Sequence, residues 1–311
     1  MDLIGSKTVL DTLMRECSGQ EEKKRTRIII ATPCGLGGAF QAGMLHALHD
    51  RGVCEQHVDV SLGLSAGSWN LGAFWAGQAA LTADVYVHLA GMSFSLMKQW
   101  DLLGLAYLKK LHRGEVHAEF KLHEHAIRDA KHLFLVGVTD SKRRLQMHDV
   151  SKTENIVDLF AASSAFPLFA LPQKVAGEWY TDPASAHPCP IPSIVRKANV
   201  GHNDIDVLIL GGRMHPRHFS VWEQWTYQSL MFTYAWLTWQ HNAFLDGLLS
   251  IDQRMERAFA MCEKVRSNSR VRLLALVPSP DQSVIPFGAT ADAVLNSAQA
   301  GYRSIEEMWR V

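Results

Sequence analysis

One serine of this chain lies in a pattern that exposes a nucleophile. Ser65 stands between Gly63 and Gly67 in the segment SLGLSAGSWN, after an apolar run and before a helix-like one. A serine in a tight strand-to-helix turn needs small neighbours two residues away on either side, because a Cβ atom there would collide with the adjoining strand or helix. We therefore predict that Ser65 is a nucleophile and that Gly63 and Gly67 form its turn. The alternative is a glycine-rich turn inside the core.

A second glycine-rich segment suits a developing negative charge. TPCGLGGAFQAG follows the first apolar run and opens a helix, so its backbone N–H groups lie beside a helix N-terminus. A dinucleotide loop would need the order G-x-G-x-x-G and an acidic residue at the end of the next strand, whereas Asp59 comes at the start of that strand. An oxyanion hole for Ser65 accounts for both segments. Its predicted residues are Cys34, Gly35, Gly37 and Gly38.

Histidine patterns offer weaker candidates. The segment LHEHAIRDAKH holds His123, His125 and His132. An H-x-H pair on a helix points its two rings apart, so we predict a solvated face there, and no metal site. A Ser-His-Asp hydrolase is an alternative, with a histidine placed after the acid. The candidates for that histidine are His187, His202 and His215.

A parallel sheet is predicted to position these residues. The β-branched runs RIIIATP and VDVSLGL alternate with segments of helical spacing, which is typical of strands buried on both faces and covered by helices. Chemistry in such sheets collects at the carboxyl ends of the strands, where both glycine-rich segments lie. Further strands are predicted at HLFLVGVTD, RLQMHDV, DIDVLILGG and RVRLLALVPSP.

The bulk composition excludes several classes of protein. The chain has 311 residues, and its 31 Lys plus Arg balance 31 Asp plus Glu, so no nucleic-acid partner is expected. Five cysteines without a C-x-x-C pair argue against a disulfide framework and favour a reducing compartment. The N-terminus lacks the basic start and apolar block of a signal peptide. We therefore predict a cytoplasmic protein.

The chain is predicted to contain two regions. Residues 1–25 form an N-terminal amphipathic arm and a charged joint, and residues 26–311 form the catalytic domain, with a helical region at about 216–266. The uncharged stretch 60–83 is interrupted by polar residues and glycines, so we predict buried core rather than a membrane span.

An aromatic stripe marks the helical region. Its members recur at the spacings of one helix face and are Trp222, Trp225, Phe232, Trp236 and Trp239. A buried core helix or a dimer face is one interpretation. The other is a lid or a surface that meets lipid. The sequence leaves the oligomeric state open.

Five segments together resemble the patatin-like phospholipases over about residues 27–210. They are GGAFQAGMLHAL, GLSAGSWN, LVGVTD, AASSAFPLFALP and WYTDPASAHPCPIP. The resemblance implies a three-layer α/β/α fold with a mostly parallel central sheet. It also implies a Ser-Asp dyad with Ser65 as nucleophile and Asp182 as base, acting without metal or cofactor.

Two departures from the family pattern fall in these segments. The family usually has three glycines, a variable residue, a basic residue and a glycine, whereas residues 33–38 read Pro-Cys-Gly-Leu-Gly-Gly, with no basic side chain at Gly37. The usual Asp-Gly-Gly or Asp-Gly-Ala is here Asp182-Pro183-Ala184. Changes of this kind either lower activity or mark a member that has lost it.

The sequence therefore predicts a lipid acyl hydrolase that cleaves carboxylic esters through an acyl-enzyme. Its partner is a lipid or another acyl ester, and peripheral contact with a membrane remains open. Asp182 must lie within hydrogen-bond reach of the serine oxygen and be partly desolvated, because a free aspartate is a weak base. The alternatives are an inactive relative that binds acyl chains or a protein partner, and a Ser-His-Asp esterase.

Overall fold

A nine-stranded sheet organises the molecule. The computed structural model describes residues 1–98, 105–166, 170–198, 204–212, 251–265, 270–279, 282 and 289–310. Its strands are β1 (Asp2–Gly5), β2 (Thr26–Ala31), β3 (Val60–Leu64), β4 (Leu133–Asp140), β5 (Leu145–Asp149), β6 (Gln173–Val175), β7 (Glu178–Thr181), β8 (Ile205–Leu210) and β9 (Val271–Val277). The described helices are α1 (Thr8–Cys17), α2 (Gly38–Asp50), α3 (Ala66–Trp75), α4 (Ala79–Lys98), α5 (Leu105–Arg113), α6 (Glu124–Asp129), α7 (Ile156–Ser163), α8 (Ile191–Ala198), α9 (Ile251–Val265) and α10 (Ala291–Trp309).

The centre of the sheet is parallel. Strands β9, β8, β2, β3 and β4 lie side by side in that order and run in one direction. The antiparallel strands are added at the margins: β1 pairs with β9, β5 and β7 pair with β4, and β6 pairs with β7. This arrangement confirms the predicted mostly parallel sheet, and each strand predicted from an apolar run is present.

Side chains on the two faces of the sheet enter separate cores. In β2, Ile29 and Ala31 pack with residues of α1, α2, α3 and α7, whereas Ile28 and Ile30 pack with residues of α8 and α9. All four side chains are fully buried. Alternation of this kind requires helices on both sides of the strand, so the three-layer α/β/α prediction is confirmed.

The N-terminal residues are part of the sheet and its packing. Strand β1 pairs with β9 along the edge, and α1 buries Val9, Leu10 and Leu13 completely. The sequence did not predict β1, because a strand of four residues is too short to show a recognisable alternation of apolar and polar side chains. The boundary drawn at residue 25 stays a prediction.

The uncharged stretch 60–83 folds as buried core, as predicted. It forms β3, α3 and the first residues of α4. None of the helices in the part of the chain that the structure describes is long and apolar enough to span a bilayer.

The aromatic stripe lies within residues 213–250, outside the described residues, and α9 is the described part of the predicted helical region.

Candidate active site

Ser65 occupies a strained turn between β3 and α3. Its backbone has φ 53° and ψ −126°, a conformation that residues with a side chain rarely adopt. The turn ends β3 at the carboxyl edge of the parallel sheet, and α3 begins at the next residue. The side chain is therefore held at the edge where loops of neighbouring strands meet.

Both predicted glycines of this turn are required by close backbone contacts. A Cβ atom at Gly63 would lie 2.5 Å from the Cα of Ser68, and one at Gly67 would lie 2.2 Å from the carbonyl oxygen of Ala31. Both distances are far below van der Waals contact. The glycines thus allow α3 to start directly against β2 and β3.

A side chain of α7 holds the backbone of Ser65. The N–H of Ser65 donates to Oγ of Ser163 at 2.9 Å, and that hydroxyl donates to the carbonyl oxygen of Gly137 in β4 at 2.7 Å. Ser163 is completely buried. It links the strained turn to the adjacent strand, which stabilises a backbone that would otherwise relax.

The register of β7 brings Asp182 to the same edge. Strand β3 pairs with β4 only as far as Gly137, whereas β7 pairs with the last two residues of β4, Thr139 and Asp140. β7 therefore lies beyond the end of β3, above the turn that holds Ser65. Asp182 is the residue that follows β7.

The environment of Asp182 suits a general base. The carboxyl group is 1% exposed, and its Oδ1 accepts a hydrogen bond from the N–H of Ala184 at 2.7 Å. Burial raises the pKa of Asp182 to about 7, while the nearby Ser65 hydroxyl and the hydrogen bond from the Ala184 N–H act to lower it. A base works best when its pKa lies near the pH at which it operates.

The departure at Pro183 is accommodated by this geometry. Asp182 caps a short 3-10 turn, and its carboxyl group bonds to the second residue of that turn, Ala184. Pro183 occupies the first position, where a backbone N–H would have no partner in any case.

The glycine-rich turn lies at the end of β2, beside β3. A 3-10 turn, Gly35–Gly37, leads from this strand into α2. The buried thiol of Cys34 is close enough to Asp182 that the carboxylate, in addition to burial, raises the pKa of the thiol. Cys34 is thus held protonated next to the acid.

The N–H groups of this turn divide into two sets. The N–H of Gly37 donates to the Cys34 carbonyl at 2.9 Å, and that of Gly38 donates to a carbonyl of the 3-10 turn, so both are engaged within the turn. In the described part of the chain, the N–H groups of Cys34, Gly35 and Leu36 make no hydrogen bond. These three are the donors that remain for a bound oxygen.

A buried polar network joins the glycine-rich turn to α3, the helix that follows Ser65. Nδ2 of Asn70 in α3 donates to the carbonyl of Gly38 at 3.0 Å and to Oε1 of Gln41 at 2.8 Å. Its Oδ1 accepts from the hydroxyl of Tyr86 at 2.9 Å. A Cβ atom at Gly38 would lie 2.3 Å from that hydroxyl, so glycine is required there.

His187, one of the predicted histidine candidates, has a partner other than the dyad. His187 is partly buried, and its Nε2 donates to the carbonyl of Arg143 at 3.3 Å rather than to the acid. Among the described residues, His187 makes no hydrogen bond with Ser65 or Asp182. The other two candidates for a triad, His202 and His215, lie outside the described residues.

The three histidines of the segment LHEHAIRDAKH differ in their environments, and only His125 lies within a helix, α6. His123 and His125 are exposed, whereas His132 is buried, with Nε2 3.1 Å from Oγ of Ser61. Burial lowers the pKa of His132 to about 4. Within the described residues, no three His, Cys, Asp or Glu side chains are arranged to hold a metal ion.

Sequence reasoning missed the residues that support the turn. Ser163 lies in the segment AASSAFPLFALP and Asn70 in GLSAGSWN, yet neither was singled out. Such a buried serine or asparagine carries no pattern of its own, because its hydrogen-bond partners belong to other elements of the chain. Only the placement of α7 and α2 identifies them.

Comparison with known proteins agrees with the resemblance seen in the sequence. A family model described as patatin-like phospholipase matches residues 34–194, just over half of the chain and a span that includes both Ser65 and Asp182. The crystal structure of VipD from Legionella pneumophila aligns with a TM-score of 0.43 at 14% identity, over 93% of this chain and 67% of that chain. No curated protein shows a significant match.

Proposed function

Because the chain belongs to the patatin-like phospholipase family, we propose that it hydrolyses carboxylic esters of lipids through Ser65 and Asp182. Family members generally act on lipid esters. One observation carries the assignment of the dyad: Asp182 is 1% exposed and lies close enough to Ser65, a serine held at φ 53°, for the hydroxyl group to lower the pKa of the acid. Backbone strain and the burial of an acid are both unfavourable for folding, and such features cluster at functional sites.

The acylation step follows from this contact. Oγ of Ser65 attacks the ester carbonyl carbon while Asp182 accepts the hydroxyl proton. The carbonyl oxygen of the resulting tetrahedral intermediate carries a negative charge. When the intermediate collapses, the alcohol leaves with the proton from Asp182, and the acyl group remains on Ser65.

In deacylation, a water molecule replaces Ser65 as the nucleophile, and Ser65 becomes the leaving group. Asp182 takes a proton from a water molecule as the water oxygen attacks the acyl carbon. The second tetrahedral intermediate then releases the carboxylic acid, and Ser65 regains its proton from Asp182. The base is thus restored after each cycle.

The oxyanion of both intermediates requires donors that are free before the reaction. We assign this role to the N–H groups of Cys34, Gly35 and Leu36, while Gly37 and Gly38 shape the turn. Preorganised backbone N–H groups stabilise a developing charge without the cost of reorienting. The buried network around Asn70 holds this turn without the basic side chain that is missing at Gly37.

The test is substitution of the two dyad residues. Ser65→Ala should fold with little change in melting temperature and should lower kcat/KM for a short soluble ester by roughly 10⁴- to 10⁶-fold, because the acyl-enzyme route is lost. Asp182→Asn should cost a similar factor. The double variant should be scarcely worse than either single variant, because the two residues act as one unit.

A fluorophosphonate reaction distinguishes this function from the alternatives. The parent should be labelled at Ser65, and His187→Ala should keep most of the activity. Ester hydrolysis by Ser65→Ala within tenfold of the parent would contradict the dyad. A loss of about a thousandfold in His187→Ala would indicate a Ser-His-Asp enzyme, and a folded parent that neither reacts nor hydrolyses esters would indicate a binding protein.

A further inference from the structure

Two exposed apolar side chains lie beside the candidate site. Leu171 is 75% exposed just before β6, and Trp179 is 56% exposed in β7, the strand that leads to Asp182. Among the described residues only four large apolar side chains are exposed, so two of them share this hairpin. Of the others, Leu3 is in β1, at the opposite edge of the sheet.

Cationic side chains lie on the same hairpin and on the turn next to it. Lys174 lies opposite Trp179 in the β6–β7 register, and its Nζ is 5.9 Å from the centre of the indole ring. The turn between β4 and β5 carries the exposed residues Lys142 and Arg143. This turn adjoins the hairpin, because Asp140 at its start pairs with Tyr180.

These cations are not neutralised by neighbouring acids. Asp140 is paired with Arg144, the third basic residue of the turn, at 2.8 Å. In the described part of the chain, Lys142 and Arg143 have no ion-pair partner, and Glu178 is the one exposed acid on the hairpin. The chain as a whole has a formal net charge of zero, so this concentration of positive charge is local.

We propose that these residues dock the molecule on the surface of an anionic phospholipid bilayer, next to the dyad. The lipid-docking face consists of Lys142, Arg143, Leu171, Lys174 and Trp179. An indole ring and a leucine enter the boundary between headgroups and acyl chains, while lysine and arginine pair with the anionic headgroups. This proposal rests on the proposed function, because the bilayer on which the molecule docks holds the ester that the dyad hydrolyses.

The position of this face gives it a role in the reaction. Trp179 and Asp182 are separated by two residues of one short segment, so a bilayer that contacts the indole ring lies close to the buried acid. An ester bond then reaches Ser65 without the whole lipid leaving the bilayer for water. A cationic rim selects for bilayers that contain anionic lipid.

Vesicle binding tests the face independently of hydrolysis. The full chain is sedimented with vesicles of ether-linked phosphatidylcholine, alone or mixed with ether-linked phosphatidylglycerol, because ether lipids hold no carboxylic ester. We expect binding to the anionic vesicles, weakening as salt is added. Trp179→Ser should weaken binding about tenfold, and the double variant Lys142→Glu, Lys174→Glu by about tenfold or more.

Matched variants at the far side of the sheet serve as controls. Leu3→Ser removes an exposed leucine from β1, and Lys24→Glu reverses an exposed lysine before β2. Both should bind anionic vesicles as the parent does. Melting temperatures of all variants show that each is folded, and the charge-reversal variant tests the face even where Trp179→Ser is unstable.

Several results would overturn the proposal. One is a parent that does not bind anionic vesicles, and another is equal binding to zwitterionic vesicles. The third is a loss of vesicle binding in the control variants as large as the loss in the variants of the lipid-docking face. A dimer in solution that Trp179→Ser converts to a monomer would show that a second copy covers the face. A chain that binds vesicles but does not hydrolyse esters would contradict the proposed function alone.

Discussion

At the scale of single residues, the site combines two unfavourable features. A positive φ at a serine costs about 1–3 kcal/mol, and the carboxyl group of Asp182 is buried with no cationic partner among the groups that set its pKa. Neither feature helps the chain to fold. Their coincidence at two neighbouring side chains is the reason to assign chemistry to Ser65 and Asp182 rather than packing.

The raised pKa of Asp182 predicts a pH dependence of activity. Below its pKa of about 7, the acid is protonated and cannot accept the serine proton, so kcat/KM should fall about tenfold for each pH unit. Above that pKa, kcat/KM should level off. An aspartate with an ordinary pKa near 3.9 would instead give a flat profile from about pH 5 upwards.

The profile must be attributed to the right group, because histidines also titrate near neutrality. We expect His187→Ala to keep the inflection of the parent in a measurement of kcat/KM against pH with a soluble ester. A shift or loss of the inflection in this variant would assign the base to histidine. A flat parent profile would contradict the raised pKa of Asp182.

At the scale of elements, α7 determines the shape of the nucleophile turn. Its last residue, Ser163, bridges the N–H of Ser65 and the carbonyl of Gly137 in β4. The next residue, Ser164, is also buried, but its hydroxyl accepts from Nε1 of Trp69 at 2.9 Å. The hydroxyl of Ser163 thus stabilises the turn of Ser65, whereas the neighbouring hydroxyl of Ser164 holds the indole ring of Trp69.

This difference gives a matched pair of variants. Ser163→Ala leaves the N–H of Ser65 without a partner in a buried site, which costs about 1–3 kcal/mol, so kcat should fall roughly ten- to a hundredfold with little change in KM. Ser164→Ala should leave kcat within a few-fold of the parent. The measurement is kcat and KM for both variants, and equal losses in the two would show a general packing effect instead.

At the scale of the whole molecule, a buried ion pair fastens the N-terminal segment to the sheet. Arg27 in β2 is completely buried, and its Nη2 donates to Oε1 of Glu16 in α1 at 3.0 Å. Its Nη1 donates to the carbonyl of His57 at 3.0 Å. The pair lies at the amino end of β2, opposite the edge that holds Ser65.

Removal of one charge should destabilise the fold strongly. Glu16→Gln leaves Arg27 charged and buried without a counterion, so the free energy of unfolding should fall by about 3–5 kcal/mol. Denaturant unfolding measures this change. The pair Arg51–Glu306, whose side chains are 33% and 17% exposed, is the control: Glu306→Gln should cost at most about 1 kcal/mol. Equal effects would show that burial of the first pair does not matter.

The sequence by itself determined the central architecture and the turn that holds Ser65. Apolar runs mark β2, β3, β4, β8 and β9 because a strand buried on both faces must be apolar throughout. Gly63 and Gly67 identify the turn of Ser65 because the collisions that exclude other residues arise within a few residues of it. Such requirements are local, so they leave a readable pattern.

Only the tertiary structure decided how the acid meets the serine. Asp182 approaches Ser65 because β4 continues beyond the end of β3 and β7 pairs with that extension. Register between strands depends on contacts between distant parts of the chain, and a four-residue strand such as β7 or β1 carries no period that specifies its neighbour. For the same reason, the partners of Ser163 and the burial that raises the pKa of Asp182 emerge only once α7 and β7 are packed.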